Sequence, residues 1–169
     1  MSDSASDAGY SRARRVGMEG TKISNPTTAV PSPSLDEATI VERRAFEKTN
    51  AARTESGLAA LVWDAELCRM AREHSEIMAR VGFFAHETPA GLQLKDRAHA
   101  AGIAHFRVIG ENIAYNKGYD DPGSFAVERW LTSAGHRANI LYVGFQASGI
   151  GSYVASDGTV YLTQVFIAR

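Results

Sequence analysis

The chain has 169 residues, 44% hydrophobic and 22% charged, with a formal net charge of −1. That length and balance suit one globular core, and without a basic surplus there is no phosphate-neutralising surface of the kind nucleic acid demands. No uninterrupted apolar run approaches the roughly 20 residues that cross a bilayer, so no transmembrane segment is expected.

The first segment, "MSDSASDAGYSRARRVGMEGTK", has paired arginines but no apolar h-region after them, so no signal peptide is read there. Residues 1–33 are poor in large apolar side chains and end in "SNPTTAVPSP", a stretch that cannot bury enough surface to offset its ordering entropy. They are expected to form a flexible arm, of linker or tag-derived origin, ahead of one folded domain over residues 34–169. Cys68 is the sole cysteine, which excludes an intrachain disulfide and a thiolate-rich metal site. It reads as a small core residue.

Ser34 and Glu37 form an S-x-x-E capping pattern, from which a first helix is expected to run to Ser56, with Gly57 as its stop. In "WDAELCRMAREHSEIMARVGFF", Leu67, Met70, Ala71, His74, Ile77, Met78 and Val81 recur at three- and four-residue steps, the stripe of a half-buried second helix. His74 on that stripe reads as a packed, hydrogen-bonded histidine. A shorter helix through "LKDRAHAAG" is bracketed by Gly91 and Gly102, with His99 and His105 as surface residues.

"FRVIGENIAY" reads as a strand. After the loop "GYDDPG", Ser124 is expected to cap a helix that carries Trp130 in the core and stops near Gly135. The final "SGIGSYVASDGTVYLTQVFIAR" is two alternating segments around Asp157-Gly158, a hairpin signal. Its G-x-G leads into strand residues and lacks the third glycine of a dinucleotide fingerprint. Helices followed by strands give an α+β layer fold in which an antiparallel sheet is covered by helices.

Four segments stand together in this order: "AREHSEIM" with "FFAH" behind it, "GENIAY", "RWLTSAGHRANIL" and "YLTQVF". The combination resembles the CAP superfamily (cysteine-rich secretory proteins, antigen 5 and pathogenesis-related proteins), in particular its bacterial, SCP-like single-domain branch, over roughly residues 35–169. The resemblance implies an α-β-α sandwich with a central cavity, and a secreted or cell-envelope location. The family lines that cavity with two histidines and two glutamates. By motif these fall on His86, Glu111 and His136, while the place of the second glutamate, three residues after Trp130, holds Ser133.

Two neutral imidazoles suit zinc or a similar divalent ion, so His86 and His136 are the candidate metal ligands, with Glu111 able to ligate or to orient a ring. The same residues can equally brace loops through satisfied hydrogen bonds. Ser133 and Gln164 complete the candidate ligand-binding set. Gln164 shares a strand face with Leu162 and Phe166, where it lines the cavity or braces it. Asn112 and Asn139 are expected to bond the backbone of neighbouring turns. Gly135 is expected to break the Trp130 helix and so aim His136 at His86 and Glu111.

The leading reading is a non-enzymatic domain that binds a small ligand, with lipid suggested by some relatives, and a divalent cation. A second is a metal-assisted or serine-type hydrolase, the latter using Ser133 and His136 with Glu111 as orienting acid, although no G-x-S-x-G elbow occurs. A third is an interaction module whose loops near 87–104 and 116–123 meet a protein partner over a structural cavity.

Overall fold

The structure, a computed structural model, describes residues 9–10, 14–17 and 33–169. Among these residues, five α-helices pack around one mixed sheet: α1 (Ile40–Glu55), α2 (Ala65–Val81), α3 (Leu94–Ala100), α4 (Pro122–Thr132) and α5 (Ala134–Ile140). The strands are β1 (Gly9–Tyr10), β2 (Arg14–Gly17), β3 (Val62–Trp63), β4 (Val108–Asn116), β5 (Ala147–Val154) and β6 (Val160–Ala168). β4, β6 and β5 form an antiparallel centre, β3 adds parallel to β5, and β1 and β2 both pair with the other edge of β4. Thus Gly9–Tyr10 and Arg14–Gly17, within the segment expected to be an arm, pair with the sheet. The rest of residues 1–32 lies outside the described residues.

Alternation along the strands divides the interior in two. Ala114, Ile150, Leu162 and Phe166 face α1, α4 and α5, where Phe46, Val127 and Trp130 fill the layer. Ile109, Val165 and Ile167 face α2 and α3, against Leu67, Met70, Leu94 and Ala98. The result is an α-β-α sandwich. A one-residue step along β4 therefore crosses from one side to the other, and Glu111 and Asn112 point into different layers.

The G-x-G of β5 serves packing. A Cβ on Gly149 would come within 2.2 Å of the Cys68 nitrogen, and one on Gly151 within 1.9 Å of the Arg72 nitrogen. Two bare positions on one strand face let the α2 backbone lie directly on β5. Cys68, fully buried at that contact, is the core residue its position suggested, and burial pushes its thiol up to about 12.

Helix boundaries differ from expectation at three places. Ser34 and Glu37 enclose only a short 3-10 turn, and α1 begins after a second capping box in which Thr39 N donates to the Glu42 carboxylate. α4 is capped by Asp121, whose carboxylate accepts from Ser124 N, and Pro122 occupies its first turn as its fixed φ favours. The break after Trp130 falls on Ser133, which is extended at φ −97 and ψ 122. Gly135 lies inside α5 without a positive φ.

Candidate functional site

Glu111 sits in the middle of β4 with no solvent exposure. Its Oε1 lies 2.7 Å from His86 Nδ1 and its Oε2 2.6 Å from Arg97 Nη2. Burial alone would raise this carboxyl, but the Arg97 charge and the His86 hydrogen bond outweigh it and hold the group at about 2. An ionised carboxylate only accepts, so His86 Nδ1 carries the ring proton, and Nε2 is the nitrogen through which this ring would bind a ligand.

His86 belongs to the irregular segment that follows Gly82, where α2 ends in a left-handed turn at φ 77. Two contacts hold that segment in place. Arg97 Nη2 donates to the His86 carbonyl at 3.0 Å as well as to Glu111, and His74 Nε2 donates to the Ala85 carbonyl at 2.9 Å. His74 is 1% exposed and burial lowers its pKa to about 4, so it is the packed, neutral histidine that its place on the α2 stripe suggested. His99 and His105 lie on the surface.

His136 comes from the other side of the sheet. α5 is fastened to β4 by a pair of asparagines: Asn112 Nδ2 donates to the His136 carbonyl, and Asn139 Nδ2 to the Glu111 carbonyl and to Asn112 Oδ1. Arg15 adds a tie from β2, with Nε donating to Asn139 Oδ1 at 3.0 Å and its guanidinium lying over the Tyr142 ring. His136 Nδ1 lies 2.8 Å from Ser133 Oγ, a contact allowed because the extended Ser133 backbone turns α4 into α5. Burial and then the nearby charge of His86 lower the His136 pKa to about 4. At neutral pH this imidazole is uncharged, the form that a metal ion binds.

The structure pairs His86 with Glu111 and His136 with Ser133, and the two pairs meet β4 at neighbouring residues, Glu111 and Asn112, with His86 near enough to act on the His136 pKa. Gln164 lies opposite Asn112 on β6, fully buried on the α1 side of the sheet, where its Nε2 donates to Thr49 Oγ1 at 3.0 Å. Arg97 belongs to the cluster although nothing in the sequence singles it out. An arginine in a short amphipathic helix reads as surface charge, and only the packing of α3 against β4 turns it inward. Among the described residues no group of three or more His, Cys, Asp or Glu is placed to hold a metal ion. With Glu111 committed to Arg97 and His86, the candidate metal ligands among the described residues are the imidazoles of His86 and His136.

Residues 46–166 match the CAP family, described as the cysteine-rich secretory protein family. The chain belongs to the CAP family. It is 40% identical over 131 residues to the uncharacterized membrane protein YlbC of Bacillus subtilis, covering 78% of this chain and 35% of that protein. It is 37% identical over 145 residues to the uncharacterized protein YkwD of the same species, covering 86% of this chain and 52% of that one. This CAP chain thus spans between about a third and a half of the curated relatives it matches. An extracellular Bacillus anthracis protein containing an SCP domain superposes with a TM-score of 0.66 at 32% identity, over 76% of this chain and 40% of that structure. This is a CAP domain of bacterial type. No helix among the described residues is long and apolar enough to cross a membrane.

Proposed function

We propose that this CAP domain is a non-catalytic binding domain of an extracytoplasmic protein, and that its polar site takes a small ligand, with a divalent cation held between His86 and His136. The observation that carries this reading is the double engagement of Glu111 by Arg97 and His86. A carboxylate that is fully buried and ionised, with each oxygen hydrogen-bonded, is poorly suited to move protons near pH 7. It is well suited to hold a histidine in one tautomer, the arrangement found behind metal-binding imidazoles. Two histidines leave coordination positions for water or a ligand head group, so binding by metal and by ligand would reinforce each other. The extracellular SCP-domain protein of Bacillus anthracis supports the extracytoplasmic part of the reading.

Calorimetric titration with zinc near neutral pH tests the proposal. One site is expected, absent in the His86→Ala, His136→Ala double variant. A folded protein that takes up no zinc would remove the cation from the account.

The 2.8 Å contact of Ser133 Oγ with His136 Nδ1 favours one second reading, a serine-type hydrolase. A neutral imidazole could accept the serine proton, yet Glu111 is turned to His86 and Arg97 and does not complete a triad with them. Turnover of an ester or peptide that Ser133→Ala abolishes, while zinc uptake persists, would establish this reading instead.

A further inference from the structure

A cavity of about 260 Å³ opens between α2, the 88–92 loop and α3, with Arg97 in its wall. Its volume is just below the roughly 300 Å³ at which pockets for drug-sized ligands begin, a scale that suits one amino-acid residue. The walls are mixed. Met70, Ile77 and Leu92 supply apolar surface, and Arg69, His74 and Arg97 supply nitrogens.

Several of those nitrogens have no hydrogen-bond partner among the described residues. Arg97 Nε and Nη1, Arg69 Nε and His74 Nδ1 are all buried and unpaired, although Arg97 and His74 are only 8% and 1% exposed. Unmet polar atoms of this kind are costly inside a protein, and each points to a missing partner. The arginine atoms are N–H donors. His74 is different: its Nε2 donates to the Ala85 carbonyl, so in the neutral ring Nδ1 is an acceptor. The residues around the cavity therefore carry three buried N–H groups and one buried acceptor beside an apolar wall. The nearby charges of Arg69 and Arg97 are offset by Glu73 at the exposed mouth and by Glu111 behind, so hydrogen-bond geometry rather than net charge selects the ligand.

We propose that this cavity binds an acylated amino acid with a free carboxylate and an apolar side chain, as found at the carboxyl end of a peptide. The carboxylate meets the N–H groups of Arg97 and Arg69, the amide N–H meets His74 Nδ1, and the side chain lies against Met70, Ile77 and Leu92. The site is separate from the one between His86 and His136, with Arg97 as the residue behind both. The hydrogen bonds that tie Thr88 to Leu92 hold the loop at its mouth.

Amide-resolved NMR titration of the whole chain tests it with three probes: N-acetyl-leucine, the neutral N-acetyl-leucinamide, and a tripeptide ending in leucine. Saturable shifts are expected in α2, the 88–92 loop and α3. The amide should bind at least about tenfold more weakly than the acid, and so should the acid to Ala100→Phe, which plugs the cavity from its exposed rim, or to Arg69→Met. Tighter binding of the tripeptide supports the proposal with peptide ends as the source of the ligand; equal binding supports it with the free acylated amino acid. The absence of saturable shifts up to about 10 mM would overturn it, as would equal binding of acid and amide, or shifts centred on α5. Zinc uptake at His86 and His136 reads the other site independently.

Discussion

Arg97 Nη2 lies 2.6 Å from Glu111 Oε2, and the carboxylate it meets has no solvent exposure. The pair joins α3 to β4, and through the His86 carbonyl it also joins both to the segment after α2. Removing only the cation would strand a buried anion, the costly way to break such a pair. Arg97→Met should cost about 3–5 kcal/mol in urea unfolding. The double variant Arg97→Met, Glu111→Leu should recover much of that loss, because neither charge then stays buried alone.

Acid should weaken the fold before its carboxylates titrate. His74 and His136 are held at about 4 against an ordinary 6.5, so the unfolded chain binds protons that the folded one refuses. Their stabilising effect is complete above the unfolded value and is lost as pH falls from 6.5 to about 4, by on the order of 3 kcal/mol at most for His74 and less for the more solvent-screened His136. Glu111 adds a further loss as pH falls from its ordinary 4.5 toward about 2. Urea midpoints measured across this range should decline steadily below 6.5, and His74→Phe should flatten the upper part of the curve. A flat profile from 6.5 to 4 would show that the two imidazoles are protonated in the fold.

β5 has no room for side chains beneath α2. Gly151→Ala would place a methyl group where the Arg72 nitrogen lies 1.9 Å away, and no flexible side chain can yield there. The substitution should cost at least about 2 kcal/mol, the middle of the range for overpacking, and should lower the thermal midpoint accordingly. Gly158→Ala tests a different cause, since that turn residue has φ 87 and nothing near its Cβ.

Cys68 should be chemically silent in the folded protein. It is fully buried with its thiol pushed up to about 12, so a thiol reagent should label it only at the rate of unfolding. Immediate labelling under native conditions would mean that the α2–β5 contact opens readily.

Much of this fold is legible in the sequence where a local pattern carries it. The α2 stripe, the Asp157-Gly158 turn and the β4 alternation each depend on neighbours along the chain. Features that depend on distant partners are not legible. β3 is two residues long and exists because Val62 and Trp63 find Ala147 and Ser148 beside them. Glu42, fully buried yet ionised, is understood only from Arg72 and the Ser152 amide, which approach it from α2 and β5. Within the site, Glu111, His86, His136 and Ser133 are readable from motif. Arg97 is hidden because a lone arginine in seven helical residues carries no signal. Gln164 stays ambiguous in sequence because a polar residue on an apolar strand face looks the same whether it lines a cavity or bonds Thr49. Gly135 misleads: the helix breaks at Ser133, whose side chain then reaches His136.

Glu111 fixes His86 with its proton on Nδ1, so that this ring would bind a ligand through Nε2 beside the uncharged His136 imidazole. Two-dimensional NMR of the histidine ring nitrogens, recorded near neutral pH with and without zinc, tests it most directly. A protonated Nδ1 is expected for His86 in the free protein, with zinc-dependent displacement of nitrogen resonances from both His86 and His136. A His86 ring protonated only on Nε2, or ring nitrogens indifferent to zinc, would contradict it.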